Sequence, residues 1–325
     1  MIILSNEDVA ALLPMKEAVE VIDRTMIDVS KGGATLPLRS VIPVGGDNRM
    51  GIMPGAIGDP ACFGIKLISL FPGNPAKGLS SHRGALVLFE SETGGAIAMM
   101  DASLLTAIRT AAASGVATRA LARKDATSLA IIGYGEQAEH HLDAILAVRD
   151  IQQLHVAGRS AQKAAEFCRN AARKYPFLKM TSGDDIQVAV ERADIVCTVT
   201  ASPTPILKAD WIAPGTHLNI VGSSVPSMRE IDDEIVERAA IWVDYLPSTL
   251  AQAGEIIEMI NAGKITQDHI KGEIGKVLTG DLAGRDNATD ITLYRSLGVA
   301  AQDLASAHYI IEQAKVRGMG QQVQF

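Results

Sequence analysis

Two glycines and an alanine within one turn carry the clearest chemistry of this chain. In Ser128-Leu-Ala-Ile-Ile-Gly-Tyr-Gly-Glu-Gln-Ala138, five mostly apolar residues run into Gly133-x-Gly135-x-x-Ala138, and from Glu136 onward EQAEHHLDAILAV has helical spacing. Strand, glycine turn and helix in that order form a dinucleotide-binding fingerprint with Ala138 in the place of the third glycine. Gly133 lets the chain turn, and Gly135 leaves no side chain to block a pyrophosphate. Glu136 and Gln137 open a helix whose N-terminus offers free N–H groups and a partial positive charge. The ribose-reading acid belongs at the end of the second strand, about 20 residues past the glycines. Here that strand is Leu154-His-Val-Ala157, followed by Gly158-Arg159-Ser160. An arginine and a serine there suit the 2′-phosphate of NADP, so NADP(H) is the favoured cofactor. NAD(H) stands as the alternative, with Arg159 a solvated charge at a helix start.

Two further cations draw notice from their surroundings. Lys66 follows the apolar run Cys62-Phe-Gly-Ile65, and Arg109 lies among small residues in DASLLTAIRTAAASG. A charge in either place needs a partner. A desolvated Lys66 would have a lowered pKa and could donate a proton. Cys62, Cys168 and Cys197 are scattered and odd in number, which suits buried, reduced thiols of a cytosolic protein. The histidines show no metal-binding spacing. His140 and His141 are adjacent, point to different sides of a helix and read as solvated, so no metal is expected. Asn287-Ala-Thr289 matches a glycosylation acceptor but lacks a secretory context. A net charge of −7 argues against a nucleic-acid partner.

These residues need elements to position them. The opening MIILSNEDVAALLP has neither a basic n-region nor a cleavage site, and no apolar run reaches the roughly 18 residues of a membrane span. The expectation is a cytoplasmic protein without a membrane contact. Its 325 residues suit two domains or one large one. Residues 14–33 predict a helix, with Pro14 in its first turn and Met15, Val19, Ile22, Met26 and Val29 on one face. Residues 39–44, 61–70, 85–89 and 96–100 predict strands. Asp101 then caps a long Ala-rich helix. From 128 to about 245, strands at 128–132, 153–157, 194–198, 217–221 and 240–244 alternate with helices at 136–148, 161–174, 185–192 and 230–239. That alternation predicts an α/β fold with a Rossmann-type doubly wound parallel sheet. A last helix is expected over 297–316.

Seven segments in order resemble the ornithine cyclodeaminase/μ-crystallin family. They are Met53-Pro-Gly55, Gly64-Ile-Lys66-Leu-Ile-Ser69, Leu105-Thr-Ala-Ile-Arg-Thr-Ala-Ala-Ala-Ser114, Gly133-Tyr-Gly-Glu-Gln-Ala138, Thr198-Val-Thr-Ala-Ser202, Gly215-Thr-His-Leu-Asn-Ile-Val-Gly222, and Gly284-Arg with Ile291-Thr-Leu-Tyr-Arg-Ser-Leu-Gly298. The resemblance implies a homodimer. It implies an α+β substrate-binding and dimerisation domain over 1–115, joined by a C-terminal helix at 299–325, and a dinucleotide-binding domain over 116–298. It implies reduction of ketimines or oxo acids to amino acids, or cyclisation of ornithine; all pass an imine beside a carboxylate.

The family pattern places Arg39, Lys66 and Arg109 as a clamp for the substrate carboxylate, with Met53 nearby; taken alone, Arg39 reads as an exposed strand-end charge. Ser81 falls where the family has a small hydroxyl residue near substrate, and His82 reads equally as a proton relay or a loop histidine. Thr110, Thr200, Ser202 and Val221 carry over as cofactor contacts beside Gly133, Gly135, Glu136, Gln137, Arg159 and Ser160; for Thr200 and Ser202, strand capping is the plain alternative. One departure stands out. Family cyclodeaminases have an Asp two residues after the glycine that here is Gly222, and this chain has Ser224. A neutral hydroxyl is a poor proton acceptor, so Ser224 favours a single reduction over cyclisation. Glu230 and Asp232, the nearest acids, read as helix-start residues, and Asp281 is expected to pair with Arg285.

The expected activity is NAD(P)H-dependent reduction of a small cyclic ketimine, Δ1-pyrroline-2-carboxylate or Δ1-piperideine-2-carboxylate, to L-proline or L-pipecolate. The alternatives are alanine-dehydrogenase-like reductive amination, an ornithine cyclodeaminase or hydroxyproline dehydratase, and a non-catalytic NADP-binding protein.

Overall fold

The computed structural model describes residues 1–324. The chain forms two compact units, Met1–Thr110 with the chain from Gly298 onward, and Ala111–Leu297. The protein is α/β, with one α+β unit and one Rossmann-type unit.

The first unit carries a mostly antiparallel sheet. Its strands are β1 (Ile2–Leu4), β2 (Ala34–Thr35), β3 (Ser40–Gly45), β4 (Asn48–Gly58), β5 (Ala61–Leu70), β6 (His82–Glu90), β7 (Ala96–Asp101) and, late in the chain, β16 (Gln321–Gln322). They run in the order β16-β1-β7-β6-β5-β4-β2, with β3 pairing β4. β4 was not among the strand runs expected from the sequence. Antiparallel pairing to β3 on one side and β5 on the other makes it a strand.

The helix expected over 14–33 is one helix, and a shorter helix that the sequence reading did not expect precedes it. Ser5 and Asp8 form a capping box that starts α1 (Asn6–Leu12), and Pro14 is the N-cap of α2 (Met15–Ser30) instead of lying in its first turn. The apolar spacing was sound: Val19, Ile22, Met26 and Val29 are all buried. The final helix is α11 (Ala300–Arg317), packed on α2, β4 and β5. Gly55 and Gly64 face each other across β4 and β5. A Cβ on Gly55 would lie 2.9 Å from Ala300 Cβ, and one on Gly64 2.9 Å from Leu304 Cδ2. These two glycines let α11 lie directly on the strands.

The Ala-rich helix is α3 (Ala102–Leu121), and the division between the units falls within it. Asp101 caps it by accepting the Leu104 N–H at 2.9 Å.

The second unit holds β8 (Ser128–Ile132), β9 (Gln153–Ala157), β10 (Lys179–Gly183), β11 (Ile195–Thr198), β12 (His217–Ile220), β13 (Ala240–Val243), β14 (Ile270–Glu273) and β15 (Thr292–Arg295). They form a wholly parallel sheet in the order β10-β9-β8-β11-β12-β15-β13-β14. Successive residues of β8 serve opposite faces: Leu129 and Ile131 join one buried cluster, Ala130 and Ile132 another. The strand order reverses between β8 and β11, the place where open α/β sheets bind ligands at the carboxyl ends of their strands.

Around the sheet lie α4 (Glu136–Val148), α5 (Ala161–Lys174), α6 (Ile186–Val190), α7 (Asp233–Arg238), α8 (Leu246–Gln252), α9 (Gly254–Asn261) and α10 (Ile274–Thr279). α4 and α5 have the expected bounds. The helix expected over 230–239 is shorter, because Asp232 is its N-cap and accepts the Ile235 N–H.

Three side-chain expectations need correction. His141 is fully buried, not solvated: Nε2 lies 3.0 Å from Ser114 Oγ and Nδ1 2.7 Å from the Gln137 carbonyl. Burial pushes its imidazole down to about 4, so it is a neutral core group. Asp281 accepts from Thr279, while Arg285 donates to the Leu121 carbonyl and to Thr292, so these two do not pair. Of the three free thiols, Cys62 and Cys197 are buried but Cys168 is only half-buried. Among the described residues, no helix is long and apolar enough to cross a membrane.

Candidate active site

Lys66 points from β5 into the first unit and is 2% exposed. Its Nζ lies 2.9 Å from both carboxylate oxygens of Asp303 on α11. Arg109, on α3, is 4% exposed. Its Nε donates to Asp303 Oδ1 at 2.9 Å and its Nη1 to Gln302 Oε1 at 2.9 Å. Arg39, just before β3, donates Nη2 to the Gly298 carbonyl at 2.9 Å. Gly298 has φ +76°, and a Cβ there would collide with the Arg109 guanidinium. Met53 is buried on β4 opposite Lys66. The three cations expected from the sequence therefore do converge, and residues 298–303 are what gathers them.

The electrostatics follow from this packing. Burial, then the Arg109 guanidinium, push the Lys66 ammonium down to about 7; Asp303 opposes them and Arg39 adds to them. Two buried cations share one carboxylate, with the half-buried Arg39 charge acting on Lys66 besides, an arrangement that favours a further anion and a lysine able to release its proton near neutral pH. Ser81 Oγ sits 2.9 Å from His82 Nδ1, at the start of β6. Partial burial and, second, the Lys66 charge hold His82 below its ordinary value. Thr110 follows Arg109 on α3 and is buried.

In the second unit, the other expected residues line the carboxyl ends of the parallel strands. Gly133 has φ +115°, and a Cβ there would press on the Val199 carbonyl at 2.9 Å. Gly135 is the N-cap of α4, with no side-chain cap and open space where its Cβ would be. An uncapped 13-residue helix behind a glycine with space in front fits a pyrophosphate. Glu136 and Gln137 occupy the first turn. The ring of Tyr134 rests on Gly158, where a Cβ would lie 2.6 Å from Cε1. Arg159 follows, exposed, at the tip of β9. Ser160 caps α5 by accepting the Lys163 N–H at 3.3 Å, which leaves its hydroxyl proton to donate.

The ends of β11 and β12 are joined by Glu230, which is fully buried and lies ahead of α7, not within it. It accepts from Thr198 Oγ1 at 2.8 Å, the Thr200 N–H at 2.8 Å, Thr200 Oγ1 at 2.7 Å and the Gly222 N–H at 2.7 Å. Burial raises its pKa, and these donors oppose the rise. Thr200 is thus held as a strand cap, and Ser202 donates to the Thr204 carbonyl. Val221 is buried and Ser224 half-buried in the same loop. From the other side, buried Arg295 of β15 ion-pairs with Glu255 and donates to the Ile220 carbonyl and to Ser223. Asp232 accepts the Ala209 and Ile235 N–H groups. Both acids near Ser224 are therefore engaged in holding backbone.

The sequence reading missed Asp303, Gln302, the Gly298 carbonyl, the role of Glu230, and the Arg295–Glu255 pair. One signal was present: Gln302 and Asp303 interrupt the small-residue run AAQDLASA, where a buried acid requires a cation.

Comparison with known proteins gives concordant matches. The sequence model described as the Ornithine cyclodeaminase/mu-crystallin family matches residues 1–318. A Delta(1)-pyrroline-2-carboxylate reductase from Bacillus cereus is 32% identical, covering 100% of both chains. The Thermococcus litoralis Delta(1)-pyrroline-2-carboxylate reductase, solved with NADH and L-proline, is 35% identical with a TM-score of 0.96, covering 99% of this chain and 100% of that one. An archaeal alanine dehydrogenase dimer with bound NAD is 31% identical with a TM-score of 0.92, covering 100% of this chain and 99% of that one.

Proposed function

Since the chain belongs to the ornithine cyclodeaminase/mu-crystallin family, we propose that it reduces a small cyclic ketimine bearing a carboxylate, using a nicotinamide dinucleotide. Δ1-pyrroline-2-carboxylate or Δ1-piperideine-2-carboxylate is the substrate, and L-proline or L-pipecolate the product. The observation that carries this reading is the convergence of buried Lys66 and Arg109, with half-buried Arg39 beside them. The reductases from Bacillus cereus and Thermococcus litoralis, similar over nearly their whole lengths, support it.

Arg39 and Arg109 hold the substrate carboxylate, since a guanidinium offers a planar fork that matches it. Lys66 holds the proton that the imine nitrogen takes up. When bound, the reduced dinucleotide supplies the hydride that the imine carbon accepts. Met53 keeps water from the reacting centre. Gly133, Gly135 and the first turn of α4 hold the pyrophosphate, and Glu230 keeps the β11 and β12 ends in place around Thr200 and Gly222. Ser224 offers no carboxylate to drive a cyclisation, which favours simple reduction.

Arg159 and Ser160 make NADPH the preferred reductant. The experiment is absorbance at 340 nm with each imine, using NADPH and then NADH, on the wild-type protein and Arg159→Ala. The wild-type protein should oxidise NADPH, and Arg159→Ala should raise KM for NADPH by about 10- to 100-fold, the size of a lost charge-assisted hydrogen bond. KM for NADH should stay nearly constant. No loss of absorbance with either imine ends the reduction reading. Turnover of pyruvate only with ammonia would replace it with alanine dehydrogenation.

A second copy of the chain is the partner for the first unit. β3 is exposed along its whole length, and Leu38, Val41, Ile42 and Val44 put apolar side chains there. Exposed apolar side chains gathered on and beside one strand suit an interface. Light scattering should report about twice 34.4 kDa; a mass equal to one chain would exclude the dimer.

A further inference from the structure

We propose that Asp303 is a positioning residue of this site, whose carboxylate holds Lys66 and Arg109 at one point and sets the pH range over which Lys66 keeps its proton. The inference deepens the reduction reading and rests on it.

The geometry is built from local features. Side chains of a strand alternate, so Lys66 shares a face of β5 with Gly64, two residues earlier. Gly64 is one of the two strand glycines against which α11 packs, here through Leu304. Asp303, the neighbour of Leu304, is thereby carried to Lys66, although 237 residues separate the two in sequence. A Cβ at position 64 would press on the Val87 carbonyl and on Leu304 Cδ2, so glycine there lets β6 and α11 both close on the strand. Asp303 is fully buried and accepts from both cations, so it is engaged and unsuited to abstract a proton.

The groups facing Lys66 can be named element by element. Asp303 comes from α11, Arg109 from α3, Arg39 from the segment before β3, and His82 from β6. Asp303 is the anion among them. The arginines oppose a proton on Lys66, and His82 is held toward its neutral form. Removing the anion leaves only groups that disfavour the ammonium. It also takes the acceptor from Arg109 Nε and loosens the guanidinium that grips the substrate carboxylate.

The test uses Asp303→Asn, which keeps shape and removes charge, and Asp303→Glu, which keeps charge and displaces it. The direct readout is the pH titration of the Lys66 side chain by NMR on protein labelled with ¹³C-lysine, its resonance assigned by Lys66→Arg. The second readout is the pH profile of kcat/KM. In Asp303→Asn the Lys66 midpoint should fall by about 1 to 3 pH units, the usual effect of an adjacent opposite charge. The alkaline limb of kcat/KM should fall with it, and KM for the imine should rise. Asp303→Glu should return the midpoint toward the wild-type value. An unmoved Lys66 resonance in Asp303→Asn overturns the proposal, as does lost activity with an unshifted pH profile, the mark of damaged packing alone. Absence of imine turnover by the wild-type protein is a different failure and overturns the reduction reading; the resonance still decides the role of Asp303.

Discussion

Lys66→Met is expected to lower kcat for imine reduction by about 10²- to 10⁴-fold, the usual contribution of a positioned general acid. Methionine has similar length and suits a buried strand position, and Asp303 keeps Arg109 as its partner, so the fold should survive. Dinucleotide affinity should hardly change, because the glycine turn and the β9 tip lie in the other unit. The pH dependence of the wild-type protein follows from the same group. With Lys66 as the proposed proton donor, reduction is expected to require it protonated, and burial lowers its pKa to about 7. kcat/KM should therefore be level below about 7 and fall by about tenfold per pH unit above it. A bound substrate carboxylate favours the ammonium, so kcat should persist to higher pH than kcat/KM. Steady-state kinetics from pH 5 to 10 and single-turnover rates for Lys66→Met check both statements. Near-normal turnover by the methionine variant would remove Lys66 from the chemistry.

Arg295→Met should destabilise the second unit by about 3–5 kcal/mol, the cost of breaking a buried ion pair from one side. Arg295 and Glu255 are both fully buried and paired. Arg295 also donates to the Ile220 and Ser296 carbonyls and to Ser223, so its loss strands a charge and frees backbone acceptors. The double variant Arg295→Met/Glu255→Gln should regain part of the loss, because the stranded carboxylate is gone. Urea unfolding followed by circular dichroism would measure both. With two units, unfolding need not be one transition, so the second unit should be followed by Trp242 fluorescence. The same variant should bind dinucleotide more weakly, since Arg295 braces the loop that carries Val221 and Ser224. An unchanged urea midpoint would show that the pair contributes no net stability.

What could be read from the residues alone was what local interactions dictate. The strand, glycine turn and helix around Gly133 are contiguous, and periods of two and 3.6 need no distant partner, so β8, β9, α4 and α5 fall where the sequence puts them. The same holds for the buried stripe of α2 and the cap at Asp101. β4 failed this test because its glycines and proline oppose a strand locally, and only its two neighbours in the sheet supply the hydrogen bonds that hold it. His141 failed it because hydrophilic neighbours on a helix do not reveal which face Ser114 covers.

The site divides in the same way. That Lys66 and Arg109 needed a partner was legible, since a charge among apolar residues is costly unless paired. That the partner is Asp303 was not, because the pairing depends on α11 settling on Gly55 and Gly64. Glu230 shows the same limit. Its place near a helix start suggested an acid that complements a helix dipole, and the parallel pairing of β11 and β12, which brings their ends together, made it the buried acceptor of four donors. By itself the sequence determined the dinucleotide turn, the tip residues Arg159 and Ser160, the three cations and the neutral Ser224. Tertiary structure decided which anion Lys66 and Arg109 share and which residues brace the strand ends, because both depend on contacts between segments far apart in the chain, which no local pattern encodes.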